Sequence, residues 1–116
     1  MAEQGDTHGP RTGDDLLKAL SALANPHRLR IVGVLSEGRQ YVSQLAREIQ
    51  MSRPLLHMHL QRLEAAGLVV GTLELSEEGK AMKYYEVAPF ALSITPEAIA
   101  SALDTLTSAP PAGEES

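Results

Sequence analysis

Residues 43–63 (Ser43-Gln-Leu-Ala-Arg-Glu-Ile-Gln-Met-Ser-Arg-Pro-Leu-Leu-His-Met-His-Leu-Gln-Arg-Leu63) constrain the fold of this chain more than any other stretch. Leu45, Ala46 and Ile49 recur at helical spacing, and so do Leu56, Leu60 and Leu63. Between the two stripes stands Ser52, suited to cap a helix, with Pro54 in the following first turn, where a missing N–H costs little. The pattern predicts two short amphipathic helices joined by a tight turn, the second carrying a polar outer face. A plain helical hairpin in an all-α core would satisfy the periodicity. Two helices at a sharp angle are also what lets a protein lay one helix in the major groove of DNA.

The flanks favour the second reading. Residues 14–24 place Leu16, Leu17, Leu20 and Leu23 on a helical stripe with acidic residues at the N-terminal end. Asn25-Pro26 then stops one helix and caps the next, whose buried face is Ile31, Val34 and Leu35; Gly38 ends it. His27 is expected to pack at the start of that helix. Tyr41-Val42 is expected as a brief strand, with Ser43 capping the third helix. The fourth helix is expected over about residues 53–66, stopped by Gly67.

Beyond it, residues 68–75 and 82–87 read as two strands around the turn-forming 76–80. Thr95-Pro-Glu starts a last helix with Ile99, Ala102, Leu103 and Leu106 as its apolar stripe. The expected class is mainly α with a small β-hairpin (α+β), a winged helix-turn-helix with additional N- and C-terminal dimerisation helices. The expected domain spans residues 14–107. The segments 1–13 and 108–116, rich in Gly, Pro, Glu and small polar residues, are expected to be disordered tails.

The net charge of −5 runs against nucleic-acid binding until it is divided along the chain. Residues 25–66 hold six arginines (28, 30, 39, 47, 53 and 62) against Glu37, Glu48 and Glu64, a local surplus of three positive charges. Attraction to phosphate depends on that local field. Absence of cysteine excludes disulfides, thiolate metal sites and a cysteine nucleophile, and fits a cytoplasmic protein. No apolar run approaches the roughly 20 residues of a membrane span, and the polar N-terminus is unlike a signal peptide. With no Trp, one Phe and three Tyr, a stacking platform for single strands lacks its aromatic residues. Paired carboxylates, a Ser/His/Asp grouping, a phosphate loop and zinc spacing are all missing, so no enzyme is expected.

Over residues 14–107 the chain resembles the ArsR-type winged-helix transcriptional regulators of prokaryotes. The resemblance is carried by Leu20-x-x-Leu-Ala-Asn-Pro-His-Arg-Leu-Arg-Ile31, by Val42-x-x-Leu-Ala46, by Met51-Ser-Arg-Pro-x-x-x-x-His-Leu-x-x-Leu-x-x-Ala-Gly-Leu-Val69, and by the Tyr84-Tyr85 strand. It implies a homodimer held by its terminal helices, with paired recognition helices on a pseudo-palindromic double-stranded DNA operator. It leaves room for an inducer of unspecified identity. Positions matching Arg53, Pro54, His57 and Met58 are those the family brings into the groove.

A helical wheel assigns the fourth helix in the same sense. Leu56, Leu60 and Leu63 face the core, with Pro54, Met58 and Gln61 opposite, Arg53 and His57 on one flank and Arg62 on the other. Arg53 can donate twice to a guanine edge, Gln61 can pair with adenine, and Pro54 and Met58 can touch a thymine methyl. Ser52, Arg53, Pro54, His57, Met58, Gln61 and Arg62 are therefore the candidate DNA contacts, joined by Lys80 and Lys83 of the wing. Glu77 and Glu78 at the wing tip should repel phosphate, a departure from wings tipped with Arg. His59 falls nearer the core arc and is expected as a partly buried histidine bonded to backbone.

Leu16, Leu17, Leu20, Ile99, Leu103 and Leu106 are the candidate dimer contacts. The family's metal sites find no match: there is no Cys, Asp104 is followed by Leu106 where a ligand is needed, and no His follows His59. His57 and His59 lie about 200° apart on their helix, leaving His8 as an outside partner. No metal or other cofactor is expected. The alternatives are a metal-responsive regulator with an unfamiliar ligand set and a winged-helix protein-interaction module that does not bind DNA.

Overall fold

Polar caps followed by proline start three of the helices. Asn25 Oδ1 accepts from the amides of His27 (2.9 Å) and Arg28 (3.2 Å), Ser52 Oγ from Leu55 (3.4 Å) and Thr95 Oγ1 from Ala98 (3.0 Å). Pro26, Pro54 and Pro96 occupy the first turns that follow. The computed structural model describes residues 10–107; the expected tails lie outside the described residues apart from 10–13. Its elements are α1 (Gly13–Leu23), α2 (Pro26–Leu35), β1 (Gln40–Tyr41), α3 (Val42–Glu48), α4 (Arg53–Ala65), β2 (Val69–Leu75), β3 (Ala81–Val87) and α5 (Pro96–Ala102), with a 3-10 turn at Leu103–Thr105. This is the expected α+β winged helix-turn-helix.

The three strands form one antiparallel sheet in the order β1-β3-β2. Val69 pairs with Val87 at its base and Leu75 with Ala81 near the tip. The brief strand comes one residue earlier than expected, and α3 starts at Val42, not after a Ser43 cap. Gln44 Oε1 accepts from the Tyr41 amide at 3.1 Å, which makes Tyr41 the last extended residue. The last helix is shorter than its apolar stripe. Thr105 Oγ1 donates to the Ala102 carbonyl and accepts from the Gly13 amide at 2.7 Å, and this side-chain competition ends the α-helix before Leu106.

Ile31, Leu45, Leu56, Leu60, Leu63 and Tyr85 are fully buried in one core. α1 contributes Ala19 and Ala22 to it, with Leu23 packed partly buried against it, while Leu17 and Leu20 stay exposed. At its N-terminus α1 is clasped to the C-terminal segment. The Thr107 amide donates to Asp14 Oδ1 at 2.9 Å, and the Thr107 hydroxyl donates to the same carboxylate. A Cβ on Gly13 would collide with the Ala102 carbonyl, so only glycine fits there.

Gly71 on β2 is the other close approach. A Cβ there would stand 2.7 Å from Cε1 of the Tyr85 ring and 2.9 Å from Lys83 Cε. The lysine end can swing away; the fully buried ring cannot. Gly71→Ala should therefore cost about 1–3 kcal/mol through overpacking, read as a lower urea midpoint at an unchanged slope. An unchanged midpoint would mean that the ring has room to move.

Candidate nucleic-acid interface

The turn between α3 and α4 sets the angle at which the second helix is presented. Met51 N–H reaches back to the Ala46 carbonyl at 3.0 Å and Gln50 N–H to Arg47 at 3.2 Å, with Gln50 left-handed at φ 56°. This is a helix-ending turn of the type glycine usually serves, here made by a non-glycine residue. From it α4 runs with Leu56, Leu60 and Leu63 at zero exposure along its inner face. Ser52, Arg53, Pro54, His57, Met58, Gln61 and Arg62 are all exposed on the rest of it. Among the described residues none forms an ion pair with Arg53 or Arg62, or a side-chain hydrogen bond with His57 or Gln61. Leu55 is also 41 % exposed, an apolar contact that the wheel did not single out.

The wing brings its cations to the start of α4. Lys80 and Lys83 line one groove with Arg53 and with Val42 and Ser43 at the head of α3. Glu78 lines the same groove, so the wing tip carries its opposing charge into it. Lys83 Nζ also lies 5.3 Å from the centre of the Tyr85 ring, held by a cation–π contact as well as free to meet solvent. Arg62, towards the far end of α4, is not part of this cluster.

A second network ties the wing to the helix-turn-helix, and sequence reasoning missed it. Tyr41 donates to Glu74 Oε1 at 2.7 Å, Arg39 stands 3.8 Å from Glu74, and the Arg39 guanidinium lies 3.9 Å over the Tyr84 ring. Tyr41 and Tyr84 meet edge to face. Its hydrogen bond to Glu74, and then desolvation, raises the Tyr41 phenol above its usual range. A pair of tyrosines on neighbouring strands was the only available signal.

Two arginines therefore drop out of the expected basic field. Arg39 is matched by Glu74, and Arg28 is buried at 8 % exposure. Arg30, Arg47, Arg53 and Arg62 are the exposed remainder. His59 is buried as expected, but among the described residues its partner is a side chain and not backbone: its Nδ1 lies 3.0 Å from Arg28 Nη1. His27 stays exposed and lays its ring 5.6 Å from that of His59.

The six candidate dimer contacts do converge. Leu16, Leu17, Leu20, Ile99, Leu103 and Leu106 line a single apolar groove between α1 and the C-terminal segment, floored by Gly13 and Ala102. Leu17 is 49 % and Leu103 59 % exposed in the protomer. Among the described residues no three His, Asp or Glu side chains converge on a metal position, and no helix is long and apolar enough to cross a membrane. His8 lies outside the described residues.

Comparison with known proteins points the same way. Residues 25–70 match the family model described as bacterial regulatory protein, arsR family. An uncharacterised HTH-type transcriptional regulator of Methanocaldococcus jannaschii is 36 % identical over 85 residues, covering 73 % of this chain and 88 % of that one. The HTH-type transcriptional regulator CmtR of Mycobacterium tuberculosis is 40 % identical over 63 residues, 54 % of this chain and 50 % of that protein. A solved structure from Mycobacterium bovis, described as a homodimeric winged helix-turn-helix DNA-binding domain and a possible ArsR-family regulator, superposes with a TM-score of 0.55. It is 27 % identical and covers 76 % of this chain and 70 % of its own.

Proposed function

The chain belongs to the ArsR family of winged helix-turn-helix transcriptional regulators, and we propose that it works as a cytoplasmic homodimer reading a pseudo-palindromic operator in double-stranded DNA through α4. One observation carries the reading: among the described residues the polar line of Arg53, His57 and Gln61 stands unpaired, on a helix whose opposite face is fully buried. A helix anchored in that way presents its donors outward on a fixed backbone, the condition for base readout in the major groove. The apolar groove between α1 and the C-terminal segment supports a symmetric partner, as does the homodimeric Mycobacterium bovis neighbour. Two copies would set their α4 helices about 10 bp apart, in successive major grooves.

The testing experiment is a titration of duplexes from the region upstream of the protein's own gene, against scrambled duplexes, at several salt concentrations. Sequence-dependent binding with a negative salt slope supports the reading. Binding to none of these duplexes at low salt would favour a protein-interaction module instead. In the same assay Lys83→Ala should weaken operator and scrambled duplexes alike and reduce the salt slope by about one per subunit, the mark of a lost phosphate contact. An unchanged slope would place Lys83 away from the backbone.

The donor set does not fit a family-type metal site, with no cysteine and Leu106 where a second C-terminal ligand is required. Zn(II), Ni(II) or Co(II) should then leave operator affinity within about threefold, under ~1 kcal/mol of coupling. A tenfold change abolished by replacing His8, His57, His59 or Asp104 would overturn that expectation.

A further inference from the structure

Among the described residues two side chains able to carry a positive charge are buried, Arg28 at 8 % exposure and His59 at 5 %, and they are bonded to each other. The Arg28 Nε–H donates to the Ala22 carbonyl in the last turn of α1 at 2.6 Å. Its Nη1 lies 3.0 Å from Nδ1 of His59, on the inner face of α4. Because a guanidinium only donates, Nδ1 must be the acceptor and the ring proton must sit on Nε2. One α2 side chain thus joins the helix that lines the apolar groove to the helix that carries Arg53, His57 and Gln61.

We propose that Arg28 is a positioning residue, holding α4 in place on α1 through a neutral His59, so that DNA reading weakens when His59 takes up a proton. This rests on the DNA-binding reading above. A protonated His59 has no acceptor left, and two cationic donors would face each other at hydrogen-bond distance inside the protein. The charged and titratable groups that act on it are Arg28 and His27 from α2 and Arg62 from α4 itself, and all three disfavour the imidazolium. Burial first, and then Arg28, His27 and Arg62, hold His59 below its usual 6.5.

The sign follows from linkage. With the folded value depressed, the contact is at full strength above pH 6.5 and is lost as the pH falls through the folded value. Protonation therefore acts against the Arg28 bridge and against α4 in its reading position.

Two measurements test this, one of them independent of DNA. In the free wild-type protein, histidine ring 15N spectra at pH 7.5 should show His59 neutral with its proton on Nε2, and titration towards pH 5 should give a midpoint below 6.5. The backbone amides of α4 and of Ala22 and Leu23 should shift with the same midpoint. A proton on Nδ1, a midpoint of 6.5 or above, or amides that ignore the titration would overturn the proposal. Operator affinity is then followed over the same range for wild type and His59→Gln, which keeps an uncharged acceptor. pH effects on the duplex and on side chains remote from His59 are common to both proteins and cancel in the ratio. Below the His59 midpoint, wild type should weaken relative to His59→Gln by up to about tenfold per pH unit per subunit, with circular dichroism unchanged. Parallel profiles would overturn the proposal. If neither protein binds any duplex at pH 7.5, the operator reading falls, and with it the DNA consequence proposed here, while the spectra still decide whether Arg28 holds α4 through a neutral His59.

Discussion

Replacing Arg53 with alanine should weaken operator binding by about 1–3 kcal/mol, roughly 5- to 150-fold, and flatten sequence preference at one position of each half-site. Arg53 stands in the first turn of α4, where Leu56 and Leu60 at zero exposure lock the helix from behind. Among the described residues it has no ion-pair partner, so its guanidinium loses little by turning to a base. A bidentate contact to guanine leaves that base edge unmatched when the side chain is cut back, and the loss is specific to the sequence. Anisotropy titrations of operator and scrambled duplexes at several salt concentrations separate this from a phosphate contact, which would weaken both equally. If Arg53→Ala and His57→Ala leave affinity and preference untouched, α4 is not the reading helix.

Leu103→Glu should abolish assembly. In one protomer Leu103 is 59 % exposed at the rim of the apolar groove, so glutamate there leaves the protomer's own core undisturbed. In a two-fold pair the same position is desolvated twice, and each copy would bury a carboxylate without a partner. Light scattering at micromolar concentration should give twice the 12.5 kDa chain mass for the unaltered protein and the single mass for the variant. Operator affinity should fall with it, since each half-site would be held alone. Leu103→Met, apolar and similar in volume, should keep the dimer. An unaltered protein that stays monomeric would remove the groove from the argument.

Much of the scaffold was legible because local chemistry and tertiary packing agree. Asn25, Ser52 and Thr95 cap the helices they precede, and Leu56, Leu60 and Leu63 fill the core that their spacing implies. The outer face of α4 followed from the same wheel, and its exposure matches. Hydropathy could not say which face of α1 the protomer keeps. Ala19 and Ala22 are buried there because small side chains let the neighbouring helices approach, while Leu17 and Leu20 remain outside.

Arg28 was counted as surface charge because arginine is rarely buried. Only the Ala22 carbonyl and His59, 6 and 31 residues away, explain its place. The Arg39, Tyr41, Glu74 and Tyr84 network joins residues more than thirty apart, with no periodicity to announce it. The end of α5 was likewise set by Gly13 and Thr105, 92 residues apart.

That last clasp bears on when the protein can assemble during its synthesis. The face around the apolar groove combines Leu16, Leu17 and Leu20 with Ile99, Leu103 and Leu106, closed by bonds from Gly13 to Thr105 and from Thr107 to Asp14. The helix-turn-helix packs on α1, on α2 and on Tyr85 of β3, all within the first 87 positions. The groove needs the C-terminal segment as well, through contacts that close a loop of some 92 positions. The apolar groove is therefore completed only after residues 96–107 have been made, later in synthesis than the core that presents α4.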